Sequence, residues 1–91
     1  MNVSVDVRVH DQSGSWLAKV RVVQDGHRTD HRVTVTADDL ARYDASDAKD
    51  LVRRSFVFLL AREPNTSILR DFGITEIEHH FPDYPSAIRR R

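Results

Sequence analysis

Residues 31–60 read HRVTVTADDLARYDASDAKDLVRRSFVFLL, and two rhythms meet in this stretch. Up to Thr36 apolar residues take every second place, as in Val33 and Val35; beyond it they recur at helical spacing, at Leu51, Val52, Phe56, Leu59 and Leu60. A period of two belongs to a strand with one buried face, and a period near 3.6 to a helix with a buried stripe. The change of period near Thr36 divides the chain into a sheet and a helical half.

Upstream, the alternation continues. Val3, Val5, Val7 and Val9 mark a first strand over residues 2–10, followed by a plausible tight turn at Ser13-Gly14. Ala18, Val20 and Val22 mark a second strand over residues 15–24. Asp25-Gly26 is the stronger hairpin signal, because a type I′ turn needs positive φ at both central positions. The third strand covers residues 27–35. With two-residue loops the register is set: Arg21 faces Asp30 and Lys19 faces Arg32 on one side, while Val22 faces Thr29 and Val20 faces His31 on the other. Asp6, Arg21 and Asp30 then form one row on the polar face, and Arg8, Lys19 and Arg32 form the next. A longer first loop would set Asp6 against Lys19 and dissolve the cationic row.

Like charges facing one another across strands destabilise a sheet. Diagonal aspartates can neutralise the row Arg8, Lys19 and Arg32, or an anion or acidic partner can. These three residues are the candidate anion or partner site. In the order one-two-three, both outer strands are edges, and neither holds a Pro. The unbroken valine alternation of the first strand invites pairing with another chain, and coverage of an edge by the C-terminal segment is the alternative. Val3 and Val5 are therefore candidate interface residues.

Downstream, Thr36 precedes Asp38 and Asp39, which suits a helix start and a short helix to Tyr43. Ser46 is read as the cap of the main helix, which ends before Pro64. Ala48, Val52, Ser55, Phe56, Leu59 and Leu60 form a stripe for the valine face. Leu51 and Phe58 widen it beyond what one sheet face needs, and either the C-terminal segment or a second subunit covers them. Asn65-Thr66-Ser67 is read as the start of a short helix with Ile68, Leu69 and Phe72 on one side and Gly73 as its C-cap. Thr75 to Glu78 has a capping-box pattern for another helix, with Ile77 and Phe81. Pro82 and Pro85 stop it, and residues 86–91 are a frayed basic tail.

Composition bounds the functional classes. Ninety-one residues suit a single domain. Fourteen acids balance fourteen bases, so no overall field steers the molecule to nucleic acid or an anionic surface. Twelve of those bases are Arg, a residue suited to bidentate recognition of carboxylate or phosphate. Cysteine is absent, which removes disulfides, thiolate nucleophiles and zinc–thiolate sites. No secretory signal or membrane-spanning run is read from the sequence, and the expected setting is the cytoplasm of a prokaryote.

The chemical motifs are weak. Glu76 and His80 share a helix face, but two ligands do not complete a metal site, and a solvated helix end explains them. His27 and His31 lie too far apart along one strand for one ion to bridge; they are expected near a wet, projecting hairpin tip. A helix-turn-helix reading of residues 68–81 would aim Glu76 and Glu78 at phosphate, the wrong charge for that task. No nucleophile elbow and no glycine-rich phosphate loop is present. No catalytic, cofactor or metal residue is assigned.

The segments LVRRSFVFLLAREP (residues 51–64), SILRDF (67–72) and FPDYP (81–85) resemble small prokaryotic proteins labelled hypothetical, over the C-terminal third to half of the chain. That resemblance implies no activity and transfers no functional residue. The expectation is an α+β fold: a three-stranded antiparallel sheet with helices on one face. The expected role is a non-enzymatic, self-associating or partner-binding module without a cofactor. The alternative is nucleic-acid or anion binding through Arg8, Lys19 and Arg32.

Overall fold

The computed structural model describes residues 3–89. Three strands, β1 (Val3–Asp11), β2 (Ser15–Gln24) and β3 (His27–Thr36), form an antiparallel meander. Asn2, placed at the start of the first strand by its alternation, lies outside the described residues. Both connections are two-residue turns with positive φ: Ser13 at 54° and Gly14 at 100°, then Asp25 at 50° and Gly26 at 84°. Their handedness matches the strand twist, which locks the expected register. Asp6 sits opposite Arg21, Arg8 opposite Lys19, Lys19 opposite Arg32 and Arg21 opposite Asp30.

Helix α1 (Ala37–Arg42) starts with a full capping box between Thr36 and Asp39. Helix α2 (Ala48–Leu60) is capped by Asp47, whose carboxylate accepts the Asp50 amide at 2.7 Å, rather than by Ser46. All helices lie on the valine side of the sheet. Val20, Val22, Val33 and Val35 pack there with Leu51, Val52, Phe56 and Leu59 in one continuous core.

The C-terminal third departs from the sequence reading. Asn65–Ser67 makes a single 3₁₀ turn, Ile68 is extended, and residues 71–73 form β4 (Asp71–Gly73). Strand β4 runs parallel to β3, pairing Arg32 with Asp71, Val33 with Phe72 and Thr34 with Gly73. The sheet therefore has four strands in the order β1-β2-β3-β4 and is mixed. The helix expected over Ile68–Phe72, with Gly73 as its cap, is absent because the open edge of β3 offers better partners. The Arg32 amide donates to Arg70 O at 2.7 Å and the Ile74 amide to Thr34 O at 3.0 Å. Ile68, Phe72 and Ile74 are buried in the same move.

Helix α3 (Glu76–His80) begins at Thr75 without a side-chain cap, so the expected capping box is not formed. Helix α4 (Tyr84–Arg89) takes Pro85 in its first turn, where a missing amide is tolerated. The basic end is not frayed as far as it is described. Ile88 is buried, Arg54 Nη1 donates to Ile88 O at 2.6 Å, and Arg89 Nε donates to Arg42 O at 2.8 Å. Arg90 and Arg91 of the expected tail lie outside the described residues. Tyr84 donates to Ser55 Oγ at 2.6 Å, and Ser55 donates to Leu51 O at 2.7 Å, so the one hydroxyl on the α2 stripe is satisfied.

Asn65 joins the C-terminal segment to the hairpin. It is buried, and its side-chain amide donates to His27 O at 2.8 Å and Thr29 Oγ1 at 3.2 Å. Its backbone amide donates to Gln24 Oε1 at 2.9 Å. Truncation of this side chain strands the buried Thr29 hydroxyl and the part-buried His27 carbonyl without their donor. Asn65→Ala is expected to lose about 1–3 kcal/mol of unfolding free energy in chemical denaturation, whereas Val57→Ser on the solvent side of α2 stays within about 0.5 kcal/mol of the parent.

Candidate functional site

The outward sheet face is bare of helices and carries the charged rows. The two turns bring Arg8, Lys19 and Arg32 into directly opposed positions on three neighbouring strands. Together with Asp6, Leu17, Arg21 and Asp30 they line a concavity of about 490 Å³. Arg21 Nε donates to Asp30 at 3.0 Å, and Arg28 lies 3.9 Å from the same carboxylate. The Asp30 carboxyl is held below its usual range, chiefly by the Arg21 hydrogen bond. Asp6 turns away from Arg21 to Arg8 of its own strand, at a loose 3.6 Å. Lys19 and Arg32 have no ion pair among the described residues. Asp71 stands opposite Arg32 at the end of the row without pairing to it. Neutralisation by aspartates thus reaches one of the three cations.

The second candidate feature is the β1 edge. Strand β1 is paired with β2 alone, so its outer line of backbone donors and acceptors has no strand partner among the described residues. Val3 is 49 % exposed and Val5 is partly buried. Strand β3 is not an edge, since β4 covers it from Arg32 to Thr34. Of the other two interface candidates, Leu51 is fully buried and Phe58 is 8 % exposed. The C-terminal segment of the same chain covers this flank. Phe58 meets Phe81 and Tyr84 edge-on at 5.8 and 5.2 Å, and the Arg62 guanidinium stacks 3.6 Å above its ring. Leu51 and Phe58 therefore contribute to the core rather than to a docking surface.

The histidines divide. His79 and His80 are exposed on α3, and His79 Nδ1 lies 3.7 Å from Glu76. No group of three His, Cys, Asp or Glu able to hold a metal converges among the described residues. His31 was expected on a wet tip, yet it is 1 % exposed, because the Asn65 turn folds over the hairpin end. Its Nδ1 lies 2.7 Å from Leu69 O, which only accepts, so Nδ1 carries the proton. Nε2 is then the acceptor, and Thr29 Oγ1 donates to it at 2.8 Å. Thr29 accepts in turn from Asn65. The chain of donors runs one way, from Asn65 through Thr29 and His31 to Leu69, and no buried side-chain N or O atom among the described residues is left without a partner. The Phe56 ring lies 5.2 Å from the imidazole. Polar residues at Thr29 and His31, in register with Val33 and Val35, were the sequence signal for such a network.

A second cluster was not anticipated. Glu78 accepts from Arg42 Nε at 3.0 Å, from Arg42 Nη2 at 2.6 Å and from the Tyr43 hydroxyl. The Arg42 bonds come first among the effects that hold the Glu78 carboxyl down at about 2, and burial is the main cause that pushes the Tyr43 hydroxyl up to about 12. This cluster ties α1 to α3.

No family model matches the sequence, and neither a curated protein nor a solved structure matches it. No helix among the described residues is long and apolar enough to cross a membrane.

The two clusters set the pH response. Burial depresses the His31 pKa below its ordinary 6.5, so the folded chain refuses a proton that the unfolded chain takes up. Stability is then fully present above about 6.5 and falls as the pH drops below it. Glu78 adds a second loss between its ordinary 4.5 and about 2. Denaturation midpoints measured from pH 8 to pH 3 are expected to show both declines. His31→Gln should flatten the first, and Glu78→Gln the second.

Proposed function

We propose that this protein is an interaction module that self-associates by pairing β1 with β1 of a second copy. The observation that carries the reading is the bare nine-residue edge together with the charge order along it. An antiparallel pair centred on Val7 sets Val5 against Val9, keeps all valines on one face, and sets Asp6 against Arg8 twice. Shifting the centre to Asp6 or to Arg8 would oppose like charges, which destabilises a ladder. The register centred on Val7 is the one that sets opposite charges against each other along this edge. A two-fold axis normal to the sheet leaves both helical layers on one side and makes one eight-stranded sheet. Such an isologous contact is the commonest route to a dimer. Its strength comes from main-chain hydrogen bonds, and its register from side chains. Val3, half exposed in the isolated chain, is carried to the margin of the joint.

Charge exchange tests it. Mass measured by light scattering over a micromolar-to-millimolar series is expected to rise from monomer to dimer. Asp6→Arg places like charges at two symmetry-related pairs, each worth roughly 0.2–1 kcal/mol, and weakens the dimer several-fold. Adding Arg8→Asp to that variant restores it. A monomer at every concentration, or a dimer indifferent to the exchange, would overturn the reading.

A further inference from the structure

The outward sheet face has an unmet electrostatic demand. Across it the cations Arg8, Lys19, Arg21, Arg28 and Arg32 outnumber the acids Asp6, Asp30 and Asp71, although the whole chain is neutral. Arg21 and Arg28 are directed at Asp30. Arg8 has only the loose 3.6 Å contact with Asp6, and Lys19 and Arg32 have no ion pair among the described residues, so the three form a row of like charges in direct opposition, an arrangement that a sheet tolerates at a loss. Strands lie about 4.8 Å apart, so the row spans about 10 Å from β1 to β3. Side chains as long as Arg and Lys reach inward over that distance to a single point above Lys19.

The surroundings set the size and kind of anion. Asp71 bounds the row at β4, and Asp6 and Asp30 bound it along one side, so a long polyanion would meet carboxylates past the first phosphate. No Trp, Tyr or Phe ring stands on this face among the described residues, since Trp16 and the phenylalanines lie on the helical side or in the core, and the exposed His10 imidazole opposite Leu17 is a small stacking surface. Leu17 provides a short apolar patch beside Lys19, and the concavity of about 490 Å³ is the size of a small-molecule site.

We propose that this face binds a small phosphomonoester that bears hydroxyl groups, such as a sugar phosphate. Arg8, Lys19 and Arg32 take up the three terminal oxygens through charge-assisted hydrogen bonds. Asp6 and Asp30, which can only accept, receive the hydroxyls. Leu17 contacts the carbon skeleton. This site goes beyond the edge pairing: it shares Asp6 and Arg8 with that joint, while Lys19 and Arg32 on β2 and β3 belong to it alone.

The test is an amide-shift titration of the full chain with ribose 5-phosphate, and with ribose and inorganic phosphate as separate arms at equal ionic strength. Saturable shifts centred on Arg8, Lys19 and Arg32 are expected with ribose 5-phosphate, with none from ribose. Inorganic phosphate is expected to bind about tenfold more weakly, since it lacks the hydroxyl contacts to the aspartates. Lys19→Glu and Arg32→Glu should each weaken ribose 5-phosphate at least about tenfold, with Lys19→Gln and Arg32→Gln as milder variants that keep the fold comparable. These positions lie on β2 and β3, so the light-scattering mass stays as in the parent, and failure of this site is read separately from failure of the dimer. Shifts that do not saturate, equal binding of inorganic phosphate, or tighter binding of a single-stranded RNA or an acidic peptide would overturn the proposal.

Discussion

Four residues in the left-handed or glycine-only regions of backbone space decide most of this molecule. Ser13-Gly14 and Asp25-Gly26 turn the chain in two residues each, and a two-residue turn leaves no freedom of register. From that constraint follow the one-sided valine face, the opposition of Arg8, Lys19 and Arg32, and the position of Thr29 and His31 beneath the helices. A turn longer by one residue would rotate every side chain of the next strand to the opposite face. The valines would meet water and the arginines would meet Phe56.

The legible part of the fold is the local part. Strand alternation, turn chemistry and the Thr36 cap are written in neighbouring residues, and the structure follows them closely. The capping shift from Ser46 to Asp47 moves a helix start by one residue and changes nothing downstream. The segment from Ile68 to Gly73 is different. Its apolar spacing fits a short helix as well as a strand, and six residues are too few for periodicity to arbitrate. What decides is the vacant side of β3, nearly forty residues earlier, whose amides and carbonyls need partners. Such information resides in the assembled sheet and not in the segment.

Burial of polar groups was the other illegible element. His31 looked like a surface residue because a histidine near a turn usually is one. Its neutrality in the core rests on a directional relay in which Asn65 contributes the first donor and Leu69 the last acceptor. A buried amide or hydroxyl without a partner is more costly than the bond it forgoes is favourable, so this relay specifies the closure of residues 65–69 over the hairpin more than it stabilises it. The candidate sites share the mixed record. The cationic row was readable from turn geometry alone. The fate of Leu51 and Phe58 depended on where α4 would settle; Arg54 and Arg89 hold α4 against the body through long-range bonds, and Arg62 holds Asp83 just before it.

The parallel seam between β3 and β4 also bears on biogenesis. Antiparallel hairpins need only adjacent residues, whereas this seam closes across the whole of α1 and α2, the slowest kind of contact to form. A nascent chain that has left the ribosome only as far as α2 owns a sheet with both margins open and a roof missing its far eaves. Completion waits for Phe72 and Ile74, so the intermediate most prone to stray association is the one still without β4. A short strand of three residues thereby acts as a latch in time as well as in space.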